Sequence, residues 1–308
     1  MRVVPRTITR WGVGEWFGTD LLAMEPTQFL RVADLALQAA SDARQQCPFA
    51  AAIVPGARCS KRGGVCSLHP VEQVDGQASV SNDLVAACPN RFLENGDLLR
   101  WAAEVMLGNP RATAVRETPI LRRAGLALDG DSGSAGRIDW LLVDDAPQGR
   151  RLAALETQSL YFSGHNMVDD FERYRVAEDV LMPAKPRRPD YRSGGPKRLA
   201  PQLSLKVPLL RNWGIKTAVL VDRYFFEQMS RLATTSGRTD RDKLAASDVV
   251  WLVAEFAGNS LGRGEVHYAS LAASITALDA AEPMSMDGFF DSLDQTLQAA
   301  SPTKVIPL

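Results

Sequence analysis

Two apolar runs that each contain one acidic residue, separated by a four-residue turn, constrain the fold of this chain most. The first run is RIDWLLV at residues 137–143, the turn is APQG at 146–149, and the second run is LAALETQSL at 152–160. Apolar runs on either side of a Pro/Gly turn are typical of a β-hairpin. Pairing about the middle of this turn places Asp139 directly opposite Glu156, with about 5 Å between their Cβ atoms.

Carboxylates that face each other across neighbouring strands repel and destabilise the sheet unless a cation lies between them. Gln158 projects from the same face as Glu156, because side chains alternate along a strand. Hard oxygen ligands of this kind suit magnesium, which the sequence therefore predicts here. The alternative is an exposed hairpin face with ordinary polar residues, since Leu141 and Val143 share a face with Asp139.

The four cysteines all fall in one short segment near the start of the chain. Thiols that are reduced in the cytosol and lie within about 40 residues of one another are typical of ligands for one tetrahedral metal. Thiolates accept either zinc or iron. The alternative is four small buried apolar residues. The candidate ligands are Cys47, Cys59, Cys66 and Cys88.

Composition places the chain among globular proteins with about two domains. It has 308 residues, of which 45% are hydrophobic and 23% are charged, and its formal net charge is −1. These values exclude a disordered, collagen-like or membrane-spanning chain. The first residues contain no apolar segment of signal-peptide length, so we expect a cytoplasmic protein with no membrane partner.

Alternating strand and helix patterns favour an α/β fold. The strands are expected at 137–143, 152–160, 216–221 and 249–256, and the helices at 26–46, 98–107, 199–213, 224–232 and 286–299. A Pro/Arg-rich extended loop is expected at 183–198.

The hairpin resembles a variant of the PD-(D/E)xK nuclease motif in which Gln stands in place of Lys. The ordered fragments IDW at 138–140 and LETQ at 155–158, after CPF at 47–49, GVCS at 64–67 and CPNR at 88–91, resemble the NotI-like type II restriction endonucleases. The resemblance runs from about residue 16 to residue 251. It implies a restriction-endonuclease-like core, a mixed sheet flanked by helices, at 111–308, preceded by a helical, metal-binding elaboration at 1–110.

The same resemblance implies a magnesium-dependent homodimer that makes double-strand cuts at a GC-rich palindrome in DNA. Asp139 and Glu156 would bind the catalytic metal, Gln158 would replace the usual lysine, and Glu117 would be an additional acid. The four cysteines would hold a structural iron rather than zinc. A cognate DNA methyltransferase is the expected genetic partner. Two alternatives remain, a non-catalytic metal-stabilised DNA-binding protein and a repair or recombination nuclease.

Basic residues that could contact DNA fall in two segments, since phosphate contacts position a protein on the duplex and arginine reads guanine edges. The loop at 183–198 has six basic residues and one acid, and four prolines keep it extended. A solvated surface insertion is the alternative interpretation of this loop. The candidates are Lys185, Arg187, Arg188, Arg192, Lys197 and Arg198 in the loop, with Arg62 and Arg91 in the cysteine segment.

Overall fold

The first part of the chain forms a small antiparallel sheet with one long helix. The computed structural model describes residues 8–41, 44–61, 63–74, 77–81, 83–122, 134–147, 149–164, 167–176, 187–281 and 284–299. Its first strands are β1 (Ile8–Trp16), β2 (Thr19–Asp20), β3 (Val65–Val74), β4 (Gln77–Val80) and β5 (Val85–Ala86). They are ordered β2-β1-β3-β4, and β5 also pairs with β3. Helix α1 (Pro26–Ser41) begins as predicted and ends five residues before the expected residue 46.

The rest of the chain builds a six-stranded mixed sheet. The later strands are β6 (Thr113–Arg122), β7 (Ser134–Ala146), β8 (Gly149–Thr157), β9 (Tyr161–Phe162), β10 (Pro189–Asp190), β11 (Lys216–Asp222), β12 (Val249–Ala257) and β13 (Ser260–Ala269). The sheet order is β13-β12-β11-β8-β7-β6, whereas β9 and β10 form a separate pair. Strand β11 runs parallel to both β8 and β12. Both β11 and β12 are near-continuous apolar runs, as strands covered on both faces require.

The predicted hairpin is confirmed, with the predicted register. Strands β7 and β8 pair antiparallel from Trp140↔Leu155 to Ala146↔Gly149. One further step along this register brings Asp139 beside Glu156. The hairpin lies within the sheet, because β6 pairs with the outer side of β7 and β11 with the outer side of β8.

Helices flank this sheet, so the expected α/β class is confirmed. They are α2 (Asp97–Leu107), α3 (Val168–Val176), α4 (Tyr191–Gly194), α5 (Ala200–Asn212), α6 (Arg223–Glu227), α7 (Asp240–Ala246), α8 (Leu271–Asp279) and α9 (Met286–Ala299). Shorter turns of 3-10 helix occur at Leu21–Ala23 and Pro89–Gly96. Helix α9 has the predicted bounds, whereas α6 stops five residues before the expected residue 232. Among the helices that the structure describes, none is long and apolar enough to cross a membrane.

The expected extended loop at 183–198 is wrong for its described part. Residues 187–198 instead contain β10, α4 and most of a π-helical turn at Gly195–Leu199 that leads into α5. The Asp190 carboxylate starts this helical segment, because it accepts hydrogen bonds from the Ser193 backbone N–H at 3.1 Å and from the Ser193 hydroxyl at 2.6 Å. Pro196 stands in the first turn, where a proline costs no hydrogen bond.

The two sheets share their apolar cores. Trp16 of β1 packs in one buried cluster with Val219 of β11, and Phe92 packs in a second with Leu155 of β8. A polar contact also joins them, since the buried Asp222 carboxylate accepts the Ala86 backbone N–H at 2.6 Å. The hairpin is therefore held from both parts of the chain.

Candidate active site

The two acids of the hairpin lie side by side, and each is held differently. The Asp139 carboxylate accepts hydrogen bonds from the Thr157 backbone N–H at 2.8 Å and from the Thr157 hydroxyl at 3.0 Å. Glu156 is buried, with 3% of its surface exposed. It forms an ion pair with Lys206 of α5, whose Nζ lies 2.8 Å from Glu156 Oε1.

The electrostatics of Glu156 reflect its burial, the neighbouring acid Asp139 and the cation Lys206. Burial, together with the negative charge of Asp139, raises the pKa of Glu156 to about 7, although Lys206 acts in the opposite direction. A cation placed between two such acids would favour their charged forms.

A cavity of about 330 Å³ lies in front of the hairpin, and we call it the hairpin cavity. It brings together all four residues that the sequence predicted as catalytic, Glu117, Asp139, Glu156 and Gln158. The N-terminal part of the chain contributes as well, through Ser60 and Asn90. The remaining lining residues are Pro89, Leu93, Arg116, Trp140, Thr157, Tyr161, Arg198, Leu199 and Gln202.

Gln158 follows Glu156 into the cavity, but its amide is engaged with the chain. Its Nε2 donates to the Ser159 carbonyl oxygen at 2.6 Å, and its backbone N–H donates to the Leu220 carbonyl of β11 at 3.0 Å. An amide carries no charge. Gln158 can therefore orient a polar group in the cavity without balancing the negative charge of the two acids.

Glu117 lies on β6. Its neighbours Arg116 and Thr118 pair with Trp140 and Ile138 of β7, so Glu117 itself lies beside Asp139. Its backbone has a φ of +50°, which is rare for a residue other than glycine. Its carboxylate turns to Arg137, with an N–O distance of 3.2 Å. No group of three or more His, Cys, Asp or Glu side chains in the described residues is arranged to hold a metal ion, so Glu117 does not complete a ligand set with the other two acids.

Lys206 is the residue of this site that the sequence analysis missed. Helix α5 was expected, and its buried face includes Leu203, Lys206, Val207 and Leu210. The signal available in the sequence is that Lys206 falls on the apolar face of this helix. A lysine buried there indicates an acidic partner, because an unpaired buried ammonium group is costly.

The four cysteines are buried together, and the expected four-cysteine iron or zinc site is not supported by the structure. Burial raises the pKa of Cys66 and Cys88, and a hydrogen bond with Cys47 raises that of Cys59, which favours neutral thiols. Two of these thiols donate to backbone carbonyls, Cys59 to Gln46 at 3.8 Å and Cys66 to Gly64 at 3.3 Å. The Cys47 sulfur instead accepts the Ala50 N–H at 3.4 Å, and the hydrogen bond from Cys59 lowers its pKa to about 5.

Two of the arginines predicted to contact DNA are buried in ion pairs. Arg91 has no exposed side-chain surface, and its guanidinium contacts the carboxylates of Glu15 at 2.8 Å and Glu94 at 2.7 Å. Arg187 donates to Asp170 Oδ2 at 2.9 Å, and both side chains are about 5% exposed. In these positions the two arginines hold the fold together and present no surface to DNA.

The other described arginines and lysines of this prediction are exposed, and one of them reaches the hairpin cavity. Arg188, Arg192, Lys197 and Arg198 are exposed, whereas Lys185 and Arg62 lie outside the described residues. The Arg198 guanidinium and the Lys61 ammonium each lie 4.6 Å from the centre of the Tyr161 ring.

Comparison with known families assigns the chain to one of them. A protein-family model described as restriction endonuclease NotI matches residues 31–267, which include the hairpin, the cysteine cluster and helix α5. No curated protein sequence matches the chain. Because the family model covers more than half of its residues, the chain belongs to the NotI restriction endonuclease family, whose members are site-specific deoxyribonucleases.

Proposed function

We propose that this protein is a type II restriction endonuclease with a PD-(D/E)xK core, and that it hydrolyses DNA phosphodiester bonds in the hairpin cavity with magnesium. The observation that carries the proposal is the pair of adjacent carboxylates, Asp139 and Glu156, on neighbouring strands of one cavity. Such a pair is costly to the fold unless it serves a cation.

The donor chemistry of the pair fits magnesium. Carboxylate oxygens are its preferred protein ligands, and magnesium commonly takes only one or two of them and keeps several waters. Asp139 and Glu156 would hold the ion, which when bound polarises the phosphate and stabilises the charge that develops on it.

The chain's own residues perform the remaining tasks. Thr157 holds the Asp139 carboxylate in one orientation through two hydrogen bonds. Gln158 offers an uncharged amide that can orient the attacking water or the scissile phosphate. Arg198, at the rim of the cavity beside Tyr161, supplies positive charge for the DNA backbone. A water then attacks phosphorus and gives up a proton to solvent, the bond between phosphorus and one deoxyribose oxygen breaks, and that departing oxygen takes up a proton from solvent.

We further infer that two copies of the chain act together on a GC-rich palindrome. Cleavage of both strands at a symmetric site requires two cavities related by a twofold axis, which a homodimer provides. The GC-rich sequence rests on the resemblance to NotI-like enzymes, as does the cognate methyltransferase that would protect the host DNA.

The test of the proposed function compares two acids of the same hairpin. With magnesium, the parent protein should cut a GC-rich plasmid into discrete fragments, and EDTA should prevent this. Glu156→Ala should abolish cleavage while its affinity for DNA stays within about threefold of the parent, since other residues bind DNA. The control is Asp145→Ala, because Asp145 is exposed and pairs with the exposed Arg150.

Three results would separate the alternatives. A gel shift by the parent protein without any cutting would favour the non-catalytic DNA-binding protein. Cutting that follows DNA structure rather than sequence would favour a repair or recombination nuclease. Retained cleavage by Glu156→Ala would remove the hairpin pair from the mechanism.

A structural metal held by the cysteine cluster is a separate proposal. It is supported by the burial of all four thiols, by the mutual electrostatic influence of their sulfurs and by the backbone N–H that Cys47 accepts. In the structure the four side chains are not arranged as a ligand group. About one iron or zinc per chain in elemental analysis of the purified protein would support the proposal, and a metal-free, folded, active protein would refute it.

A further inference from the structure

Lys206 is a buried lysine on the helix that packs beside the hairpin. Its side chain is 6% exposed, and it lies 2.8 Å from Glu156 Oε1 and 3.0 Å from Gln202 Oε1. An ammonium group is among the most costly groups to bury, and it is tolerated when it is paired and hydrogen bonded. Both of its partners line the hairpin cavity, so the charge of Lys206 acts on the cavity itself.

The hairpin residues that line the cavity carry no positive charge. Two acids from β7 and β8 meet in the cavity, and the next residue on the same face is the uncharged Gln158. Arg116 and Arg198 also line the cavity, but Arg116 lies over the Trp140 ring and Arg198 over the Tyr161 ring. The ion pair that the structure shows on Glu156 comes from α5, about fifty residues further along the chain.

We propose that Lys206 supplies, from helix α5, the positive charge that the hairpin lacks, and that it is a positioning residue which fixes the Glu156 carboxylate for the cleavage step. This inference rests on the proposed nuclease function. Lys206 acts through Glu156, and its contact with Gln202, one helical turn earlier, fixes the ammonium group in turn.

The experiment uses Lys206→Met, Lys206→Arg and, as a control, Lys243→Met in the full-length protein. Lys243 forms an exposed ion pair with Asp240 on α7 and has no part in the site. We expect Lys206→Met to lower kcat by about 100-fold, as the loss of one fixed charged donor does. The KM for DNA should change by less than about threefold, because Lys206 contacts Glu156 and not the cavity surface. Lys206→Arg keeps the charge and should recover activity to within about tenfold of the parent.

A second readout does not depend on cleavage. Manganese binding to the DNA-free protein is followed by electron paramagnetic resonance. Removal of the ammonium group takes a like charge away from the ion, so Lys206→Met should bind manganese about three- to tenfold more tightly although it cuts more slowly. A merely structural lysine would not produce these opposite changes.

Three outcomes would overturn the role of Lys206. The first is an unchanged kcat in Lys206→Met. The second is weaker manganese binding by Lys206→Met together with a loss of its thermal stability. The third is an equal loss of activity in Lys206→Arg and Lys206→Met. If Lys206→Met does not fold, Lys206→Gln takes its place against Lys206→Arg. Failure of the parent protein to cut DNA would instead refute the proposed function, and the manganese titration would still report on the lysine.

Discussion

The Asp139 carboxylate accepts both the backbone N–H and the hydroxyl hydrogen of Thr157, at 2.8 and 3.0 Å. Thr157 follows Glu156 directly. Strand β8 therefore provides one acid, Glu156, and through Thr157 it also positions the other acid, Asp139. This arrangement predicts that Thr157→Val, which keeps the shape and the N–H but removes the hydroxyl, lowers kcat by about tenfold. Steady-state cleavage assays with magnesium measure the effect.

Thr157→Ser is the matched control for that prediction, because it retains the hydroxyl donor and should keep activity within about twofold of the parent. DNA affinity should be unchanged in both variants. Equal activity in Thr157→Val and in the parent would show that the N–H alone orients Asp139.

Arg91 illustrates how a basic residue near a site can belong to the fold. Its guanidinium lies 4.3 Å from the centre of the Phe49 ring and 5.2 Å from that of Phe256, and it pairs with the buried Glu15. We expect Arg91→Met to lower the free energy of unfolding by about 3–5 kcal/mol, because Glu15 is left buried and unpaired. Urea denaturation measures this loss.

The double variant Glu15→Gln with Arg91→Met removes both charges and provides the comparison. It should recover part of the stability that Arg91→Met loses. A loss below about 1 kcal/mol in Arg91→Met would mean that the network is not needed for the fold.

The hairpin could be predicted because its determinants are local. Two apolar runs and one turn fix the register, and the register fixes which face Asp139 and Glu156 share. The roles of Arg91 and Lys206 could not be predicted in the same way. Each depends on a partner more than 45 residues away, Glu15 for Arg91 and Glu156 for Lys206, and composition alone does not distinguish a buried cation from an exposed one.

The cysteine segment shows a different limit of sequence reasoning. Its clustering predicted four ligands of one metal, whereas the structure shows four buried free thiols and, in the described residues, no group arranged to hold a metal ion. The arrangement of the sulfurs, however, depends on which neighbour each one bonds. The partners here include two carbonyl oxygens, one backbone N–H, the Ser60 hydroxyl and the Asn90 amide, and the clustering of the cysteines does not specify them.

Titration of His69 should lower the stability of the folded protein in mild acid. This residue of β3 is 1% exposed, its Nε2 has no hydrogen-bond partner among the described residues, and burial lowers its pKa to about 4. In the unfolded chain the same group has its ordinary pKa of about 6.5. Between these values the unfolded state binds the extra proton, so the contribution of His69 to the free energy of unfolding decreases as the pH falls from about 6.5 to about 4.

His69→Phe isolates this effect from all other titrations, when its stability is compared with that of the parent at each pH. The variant should gain stability relative to the parent as the pH falls through this window, by about 3 kcal/mol in total. Above pH 7 the difference between the two proteins should be constant, since His69 is neutral in both states there. A difference that is the same at pH 4.5 and pH 7.5 would show that His69 does not titrate differently on folding.

Arg198 should contribute to DNA binding without contributing to stability. It is exposed, lines the hairpin cavity and stacks on Tyr161, so a phosphate that enters the cavity would meet its guanidinium. A lost phosphate contact weakens binding to all sequences and lowers the slope of log affinity against log salt by about one. Fluorescence anisotropy with Arg198→Ala at several salt concentrations measures both changes. The control is Arg263→Ala, which removes an exposed arginine that pairs with Glu104. It should change neither the affinity nor the salt slope. An unchanged salt slope in Arg198→Ala would place the DNA backbone elsewhere on the protein.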